Sequence, residues 1–541
     1  MSQAFIGLVP FDLVTIKRSR RRFKDGDHDS TLQQGEQDGA ADGMSLFSLD
    51  DSAPLETITW FRGSFIMLST SVVTGSNTFL YLMTYVLLPN IDDDLGLSTT
   101  WDDVLTFPIH ALITASLLLL TGRITTVLGP RTMYLIGLTL QTISIITCGA
   151  TEDRALFLFC RTFLSAIAIA MIVPAATTVI TRSMGGQQRN VAFAMLAIGQ
   201  TIGMTAGYPA GAWLVQEAGY DHWRVAYILL GLLNTITLVI AIVAVPRSID
   251  APDGLLTGKW QSWKEKLHRL SQEIDWIGFL LQFATAGTLG SSVIGISKFS
   301  ERLRLRLCIM RRRQRLGKPA LIPNDMWKHR EFSVICAVVF LVWTATNGLE
   351  VLLFKYWRDL EGYEAREFSL MYAPSPIAGL LIILVMGFVT HRVPALAITT
   401  TGLVLSLAAP LSIICTKAQS VGSTYFASTF LTCIFNNAGA GGLFVAAAPL
   451  MTSTFDHPNA VLADHVIYMI SALSRGIGIS MATAVYDFCS RKIVDAGAVR
   501  AEAPLTAYKM ASGVWLVMEV TALGLSLWGF WSVGRHRSKA I

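Results

Sequence analysis

Long apolar stretches, separated by short polar segments, run along most of this chain. A helix needs about 20 apolar residues to cross the hydrocarbon core of a bilayer. By that rule the sequence predicts about thirteen spanning helices. In chain order they are Ser64–Leu88, Trp101–Leu120, Thr132–Gly149, Leu156–Ile180, Val191–Val215, Trp223–Val245, Trp276–Ile296, Phe332–Trp357, Phe368–Val389, Ala395–Cys415, Thr424–Met451, Val461–Phe488 and Gly513–Val533.

The fifth predicted helix has no charged residue and carries four glycines spaced four residues apart. Residues four apart lie on one helix face, so the stripe predicts that a neighbouring backbone packs closely against it. Pro209 lies within the stripe and predicts a bend. A smooth, bendable helix of this kind suggests a part that moves. The stripe consists of Gly199, Gly203, Gly207 and Gly211.

Composition supports a membrane location. Of the 541 residues, 52% are hydrophobic and 15% are charged, and the mean hydropathy is +0.50. A soluble chain carries about 25% charged residues. The charged residues are also concentrated between the apolar stretches. The sequence therefore predicts an all-α polytopic membrane protein.

Signatures of enzymatic or nucleotide-driven chemistry are missing from the sequence. It has no Gly-x-x-x-x-Gly-Lys-Ser/Thr loop, so we expect that ATP does not drive the protein directly. The seven cysteines are scattered without a Cys-x-x-Cys pair and are typical of small buried hydrophobic residues. We expect no enzyme activity, no metal, no cofactor and no nucleic-acid partner.

Positive charge predicts the orientation of the first six spans, because Lys and Arg mark cytoplasmic loops. Residues 1–55 contain a basic run from Lys17 to Lys24 and otherwise read as a disordered cytoplasmic tail. Basic residues also follow the second, fourth and sixth spans, whereas the intervening loops are poorer in them. Span count and charge therefore agree this far.

After the seventh span, the charges and the span count disagree. That span should end outside, yet the most basic loop of the chain follows it, from Lys298 to Lys318. Either one crossing is missing between Ile296 and Phe332, or the seventh segment does not cross. Placing the basic loop in the cytoplasm puts the C-terminus there too, so both termini are predicted to be cytoplasmic.

Two motifs lie near the second and fourth spans. The loop after the second span reads Gly122-Arg-Ile-Thr-Thr-Val-Leu-Gly129-Pro-Arg131. The fourth span carries Arg161 near its start and then Pro174. Both resemble motifs of the major facilitator superfamily, whose cytoplasmic loop has the pattern Gly-x-Leu-Ala-Asp-Arg-x-Gly-Arg-Lys and whose fourth helix begins with an arginine.

The fifth span resembles one particular family within this superfamily. Its segment from Gly203 through Gly207 and Pro209 to Gly211 is similar to the antiporter motif Gly-x-x-x-Gly-Pro-x-x-Gly-Gly. Trp223-Arg224 follows, as is common in the fungal drug:proton antiporters with fourteen spans. The resemblance covers about residues 56–540 and implies two six-helix bundles joined by a linker helix.

The resemblance also implies domain bounds. They are a cytoplasmic tail at 1–55, a first six-helix bundle at 56–248, a linker with one apolar helix and a basic segment at 249–330, a second bundle at 331–534 and a cytoplasmic tail at 535–541.

The chain departs from the family pattern at several positions. Thr126 replaces the loop aspartate that pairs with basic groups at the cytoplasmic side, and Leu80 stands where members carry an aspartate in the first span. Pro209 is displaced by one residue, and Ala212 replaces the last glycine. The family's eighth span is absent where the basic loop lies. A deleted span, genuine or from a wrong splice model, would explain this difference.

Ionisable residues inside a membrane are costly and are usually functional. Arg161, Glu350 and Arg475 are therefore our candidates for coupling. Glu350 is a candidate proton carrier, because burial favours the neutral form of a carboxyl group. Arg475 lies near the middle of its span and should face a cavity, where an acid, a carbonyl group or an anionic substrate could pair with it. Arg161 could instead have a structural partner or extend to the interface.

Polar amides within the spans suggest a substrate pathway. We expect Asn77, Gln200 and Asn437 to line it, although such side chains can also serve only to bridge helices. The loop motif residues Gly122, Gly129 and Arg131 and the fifth-helix motif residues Gly203, Gly207, Pro209 and Gly211 complete the predicted sites.

The resemblance implies a proton-coupled exporter of amphipathic small molecules, such as a drug, toxin or secondary metabolite, in a fungal plasma membrane. It would work by alternating access as a monomer, with protons, substrate and membrane lipid as partners and the proton gradient as its energy source. A nutrient importer or facilitator on the same fold is the first alternative. A transport-dead sensor or truncated product is the second, because Thr126, Leu80 and the missing span favour it.

Overall fold

The computed structural model places helices along the chain, and every regular element among its described residues is helical. Isolated residues between 264 and 283 are also described, in addition to ten longer ranges. These ranges are 58–96, 105–217, 222–250, 275–280, 322–363, 365–389, 395–416, 429–454, 457–495 and 503–537. The predicted N-terminal tail, the basic loop and most of the linker lie outside them.

Six helices form the first half of the molecule. The second begins after a π-helical turn at Leu105–Ile109, and the fourth contains one at Phe159–Leu164. The helices are α1 (Trp60–Leu95), α2 (His110–Leu128), α3 (Pro130–Ala150), α4 (Arg154–Ser183), α5 (Gly186–Glu217) and α6 (His222–Ala244).

In the part of the second half that the structure describes there are eight helices, because two of its apolar segments are each divided into two. Helices α8 and α9 together occupy one predicted span, and α10 and α11 occupy the next. The helices are α7 (Arg330–Asp359), α8 (Ala365–Tyr372), α9 (Pro374–Val389), α10 (Ala395–Ser406), α11 (Ala408–Cys415), α12 (Phe430–Thr454), α13 (His457–Asp495) and α14 (Ala503–Arg537).

Ten helical stretches among the described residues are long and apolar enough to cross a membrane, and one of them, Ala397–Cys415, runs through α10 and α11. They correspond to ten of the predicted spans. Two further predicted spans are represented by the broken pair α8–α9 and by α12. Only part of Trp276–Ile296 is described, and the proposed missing crossing lies outside the described residues.

Local chemistry determines several helix ends. Thr59 accepts a hydrogen bond from the Arg62 amide at 3.4 Å and begins α1, while Gly96 ends it in a left-handed conformation with φ of 66°. Asp153 accepts from the Ala155 amide at 2.9 Å and begins α4. Such caps satisfy backbone groups that have no partner within the helix.

The two halves repeat one packing pattern. In the first half, α1 packs on α5 and α6, α2 on α4, and α3 on both α4 and α6. In the second half, α7 packs on α13 and α14, α9 on α12, and α10 on both α12 and α14. Each of these contacts in one half has a counterpart in the other, which is the arrangement expected of two equivalent bundles.

The glycine stripe of α5 packs against α1. A Cβ atom added to Gly203 would overlap the carbonyl oxygen of Gly75, and one added to Gly207 would lie 2.9 Å from that of Phe79. In return, a Cβ atom on Gly75 would lie 2.6 Å from the Gly199 carbonyl oxygen. The predicted close approach is therefore present, and its partner is a helix of the same half.

Two equivalent helix pairs join the halves. Helix α2 packs on α13, and α5 packs on α8 and α9. Small residues permit the first contact, because a Cβ atom on Gly476 would lie 2.9 Å from the Pro108 carbonyl oxygen. At the other end of α2, a Cβ atom on Gly122 would lie 3.3 Å from Nδ1 of His465.

The loop motif is anchored by a residue that the sequence analysis did not identify. Asp250, in a short 3₁₀ turn after α6, accepts hydrogen bonds at the start of α3 from the Arg131 amide at 2.8 Å and the Thr132 hydroxyl at 2.7 Å. Arg131 in turn donates to the Val245 carbonyl oxygen at 2.8 Å. Gly129 adopts φ of 104°, where a side chain would be strained and would also collide with Asp250.

Gly203→Ala should destabilise the protein, because the new methyl group must force α1 and α5 apart. We expect a loss of about 1–3 kcal/mol, as in other overpacked interiors, measured as a lower melting temperature in detergent. Gly524→Ala in α14 is the matched control, since a methyl group there meets no atom within 4 Å. Equal melting temperatures for the two variants would contradict the packing described.

Asp250→Ala should weaken the first half by removing the cap of α3. Loss of such a cap costs about 0.5–2 kcal/mol. Chemical denaturation monitored by tryptophan fluorescence would measure it. Asp325→Ala is the control, because the exposed Asp325–Lys328 pair, at 2.6 Å, is of the surface type that contributes little. A smaller effect for Asp250→Ala than for this control would show that the cap is unimportant.

Candidate functional site

A cavity of about 290 Å³ lies between the two halves of the protein. It is bounded by α1 to α5 on one side and by α7, α9, α12 and α13 on the other. Its walls are mostly apolar and include Val73, Ile169, Ile172, Met204 and Trp343. Cavities of about this size, with few polar groups on apolar walls, are typical of small-molecule sites.

Five predicted residues line this cavity. Asn77 and Gln200 reach it from the first half, and Asn437, Glu350 and Arg475 reach it from the second. Asn437 also donates a hydrogen bond to the Ser375 hydroxyl at 2.7 Å. Five segments that are distant in sequence, spread from Asn77 to Arg475, thus bring the predicted pathway and coupling residues to one place.

Glu350 makes a hydrogen bond across the two halves. The Tyr208 hydroxyl of α5 donates to Oε1 of Glu350 in α7 at 2.9 Å. Tyr372 of α8 interacts with the same carboxyl group, and its ring centroid lies 4.9 Å from that of Tyr208. Glu350 therefore faces the cavity while one of its oxygens is held by the opposite half.

Arg475 lines the cavity from α13. Its guanidinium carbon lies 5.6 Å from the centre of the Tyr81 ring, within the range of a cation–π contact. Glu350 is close enough to interact with it electrostatically, yet among the described residues the two form no direct ion pair. The cavity thus holds one acidic side chain, Glu350, and one basic side chain, Arg475, that are not paired with each other.

Arg161 lies outside the cavity. It occupies the π-helical turn of α4, and its side chain is only 2% exposed. Its guanidinium carbon lies 6.0 Å from the Phe107 ring centre, and the Phe107 centroid lies 5.2 Å from that of Tyr81. Its Nε and Nη2 atoms have no hydrogen-bond partner among the described residues. Arg161 therefore adds a buried positive charge one aromatic layer behind the cavity.

Aromatic rings pack at one end of the cavity, beside Leu82 and Glu350 and one helical turn beyond them. They come from α1, the turn before α2, α5, α7 and α8, so both halves contribute. Tyr208, Phe354 and Tyr372 have mutual centroid distances of 4.9 Å. By the predicted topology, this end faces outward. We call the set the aromatic cluster; it consists of Tyr81, Tyr85, Phe107, Tyr208, Phe354 and Tyr372.

The remaining predicted residues lie away from the cavity. Gly122 contacts α13, while Gly129 and Arg131 lie at the Asp250 cap. The fifth-helix residues Gly203, Gly207, Pro209 and Gly211 do not line the cavity, although their neighbours Gln200 and Met204 do. The motif glycines of α2 and α5 thus act in helix packing, and Gly129 and Arg131 act at the cap of α3.

Sequence reasoning missed Tyr208 and Tyr372. Tyr208 stands between Gly207 and Pro209, at the position where the antiporter motif has its proline. That displacement was the available signal, because it places a hydroxyl group four residues after Met204, on the helix face that also carries Gln200. Tyr372 has no comparable signal, since only the break between α8 and α9 brings it to the interface.

Comparison of sequences identifies the fold. Residues 70–483 match the sequence model of the Major Facilitator Superfamily. The chain belongs to this superfamily. It is therefore an integral, multi-pass membrane transporter and not an enzyme, and the expected fold class is confirmed.

Curated relatives of this superfamily member include two fungal proteins. It is 24% identical over 477 residues to "MFS-type transporter 1" of Pyricularia oryzae, covering 81% of this chain and 76% of the relative. It is 22% identical over 400 residues to the "Aminotriazole resistance protein" of Saccharomyces cerevisiae, covering 69% of each chain.

Solved structures show the same fold. A bacterial homolog of the human lysosomal transporter Spinster, inward-facing and unoccupied, superposes with a TM-score of 0.57 at 14% identity, covering 87% of this chain and 98% of that one. The human organic anion transporter MFSD10 (TETRAN) gives a TM-score of 0.57 at 14% identity, covering 86% and 99%. At these identities the likeness concerns the fold alone.

Tyr208→Phe should loosen the closed end of the cavity. The ring contacts remain, but the carboxylate oxygen of Glu350 loses its donor, which costs about 1–3 kcal/mol. We expect a broader and longer distance distribution between spin labels placed at the exposed positions Trp213 in α5 and Leu370 in α8.

The control for this change is Tyr356→Phe. The Tyr356 hydroxyl donates to Glu361 at 3.0 Å, so it makes the same kind of bond within one half. If both variants gave the same distance distribution as the unchanged protein, the bond between Tyr208 and Glu350 would not hold this end closed.

Proposed function

We propose that this protein is a secondary active transporter that exports amphipathic small molecules in exchange for protons. The observation that carries the proposal is Glu350, a carboxyl group that faces the central cavity and is hydrogen-bonded to the opposite half of the protein. Drugs, toxins and secondary metabolites are the substrate classes that fit mostly apolar walls with a few amides.

Glu350 is the proposed proton carrier. An apolar cavity favours the neutral form of a carboxyl group, whereas a nearby guanidinium group and a hydroxyl donor favour the ionised form. Glu350 faces all of these influences, from the cavity walls, Arg475 and Tyr208. Such a balance allows a proton to bind and leave during one transport cycle.

Alternating access would follow from rocking of the two halves. To open the end closed by the aromatic cluster, α5 must separate from α8 and α9. That separation breaks the bond between Tyr208 and Glu350, so proton binding and opening act on the same atoms. Arg161, which interacts electrostatically with Tyr81, would contribute to coupling from behind the cluster.

Export is supported by resemblance and by one relative's name. The glycine-rich fifth helix resembles that of drug:proton antiporters, and a yeast relative is an aminotriazole resistance protein. We accordingly propose a fungal plasma-membrane protein with cytoplasmic termini, acting as a monomer and energised by the proton gradient. Its partners would be substrate, protons and membrane lipid.

Deletion of the gene tests the direction of transport. Cells without it should accumulate more of at least one compound in a panel of drugs and nutrients, because export is lost. Intracellular amounts after equal exposure provide the measurement. Unchanged drug retention together with lost uptake of a nutrient would overturn the export proposal and support the importer.

Glu350→Gln should fail to restore export in the deletion strain, because the amide cannot carry a proton. Glu519→Gln is the matched control. Glu519 is a buried carboxyl group of α14 that lies outside the cavity and accepts a hydrogen bond from Ser406 at 2.9 Å. Restoration by Glu350→Gln at the level of the control would exclude Glu350 as the proton carrier.

A further inference from the structure

The charges on the cavity wall restrict what can bind there. Among the described residues that line it, Glu350 and Arg475 are the ionisable groups of opposite charge. They belong to different helices and make no direct ion pair with each other. The remaining polar lining consists mainly of amide and hydroxyl groups, including Asn77, Gln141 and Gln200.

A separated acid and base in an apolar cavity leave binding energy available to a ligand. Each charge is costly in such surroundings unless an opposite charge or hydrogen bonds compensate it. Arg475 lies against Tyr81, and Glu350 has one oxygen bonded to Tyr208. A ligand that brings both a positive and a negative group would compensate both residues at once.

We propose that the transported substrate is an amphipathic zwitterion whose ammonium group pairs with Glu350 and whose anionic group pairs with Arg475. The apolar part of the molecule packs against Ile169, Ile172, Met204 and Trp343, which line the same cavity. This inference rests on the proposed function and names its substrate class. A carboxylate, sulfonate or phosphate group satisfies the Arg475 side equally well.

A zwitterion also accounts for exchange with protons. Protonation of Glu350 removes the partner of the ammonium group, so proton and substrate exclude each other. A simple anion behaves in the opposite way, because the protonated acid no longer competes for Arg475. A simple cation is repelled by Arg475 and by the buried Arg161 behind it.

The groups facing this pair come from several helices. Tyr208 of α5 donates a hydrogen bond to Glu350, Tyr372 of α8 interacts electrostatically with it, and Tyr81 of α1 lies beside Arg475. Cys433 of α12 interacts electrostatically with Glu350, and His110 of α2 with Arg475. The tyrosines and the thiol are neutral over the pH range in which carboxyl groups titrate. Glu350 is therefore the acid in this set whose charge changes. His110 is the other titratable group in this set, so a His110 variant is needed to distinguish its protonation from that of Glu350.

Binding to the purified full-length protein in lipid nanodiscs tests the proposal. The probes are tryptophan and phenylalanyl-phenylalanine, each as the free zwitterion, the C-terminal amide, the N-acetyl acid and the N-acetyl amide. Calorimetry should give a dissociation constant for each zwitterion about tenfold or more below those of its singly charged forms. Acidification should weaken zwitterion binding and strengthen binding of the N-acetyl acid.

Variants assign the two ends of the ligand. Glu350→Gln should remove the preference for the zwitterion over the N-acetyl acid, and Arg475→Gln should remove the preference over the amide. Glu519→Gln and Arg330→Gln are matched controls, because Glu519 lies outside the cavity and Arg330 stacks on Trp528 at 4.0 Å. His110→Gln should leave the pH dependence in place.

The outcomes separate the substrate class from the proposed function. The zwitterion proposal is overturned if a cationic, anionic or neutral form binds as tightly as the zwitterion or more tightly, or if none of the probes binds. If a cation or neutral form is nevertheless exchanged for protons in proteoliposomes, the proposed function stands without it. If the zwitterion binds as expected but a proton gradient does not move it, the substrate class stands and proton exchange fails.

Discussion

The close contact between α1 and α5 is the constraint on which the site depends. Glycines on α5 bring its backbone against that of α1, near the limit that a hydrogen side chain permits. In a bilayer, where burial of apolar surface does not drive association of helices, such backbone proximity supplies dispersion contact. Because Tyr208 adjoins Gly207, this contact also fixes where the hydroxyl of Tyr208 meets Glu350. Helix packing in the first half thereby positions a charged group of the second.

The cavity exists because the halves touch along only some of their helices. Each half satisfies its own packing through the same set of helix pairs, and the halves meet at α2 with α13 and at α5 with α8 and α9. The space left between these contacts receives side chains from both halves. Aromatic rings fill one end of it, where the six rings can separate into two groups once the hydrogen bond between Tyr208 and Glu350 breaks.

The loop motif departs from the family pattern at Thr126, and the structure shows the surroundings of that position. The chain has Thr126 where the resemblance leads one to expect aspartate. Thr126 is exposed, and its hydroxyl donates to the Arg123 carbonyl oxygen of its own helix. Asp250 is a carboxylate at this end, and it caps α3 and holds it to the segment after α6. Charge at this end therefore stabilises one half of the protein. This acidic residue, Asp250, comes from a different part of the sequence than the loop motif.

The sequence by itself determined the helices and the close-packing face, because apolar length and glycine spacing act within one segment. It also placed Glu350, Arg475 and three amides inside spans, where such groups are costly and are usually functional. Only the tertiary structure decided that α1 receives the glycine stripe, that Tyr208 bonds to Glu350 at a separation of 142 residues and that Asp250 caps α3. These pairings join distant segments, and their energies depend on distances that no local pattern encodes.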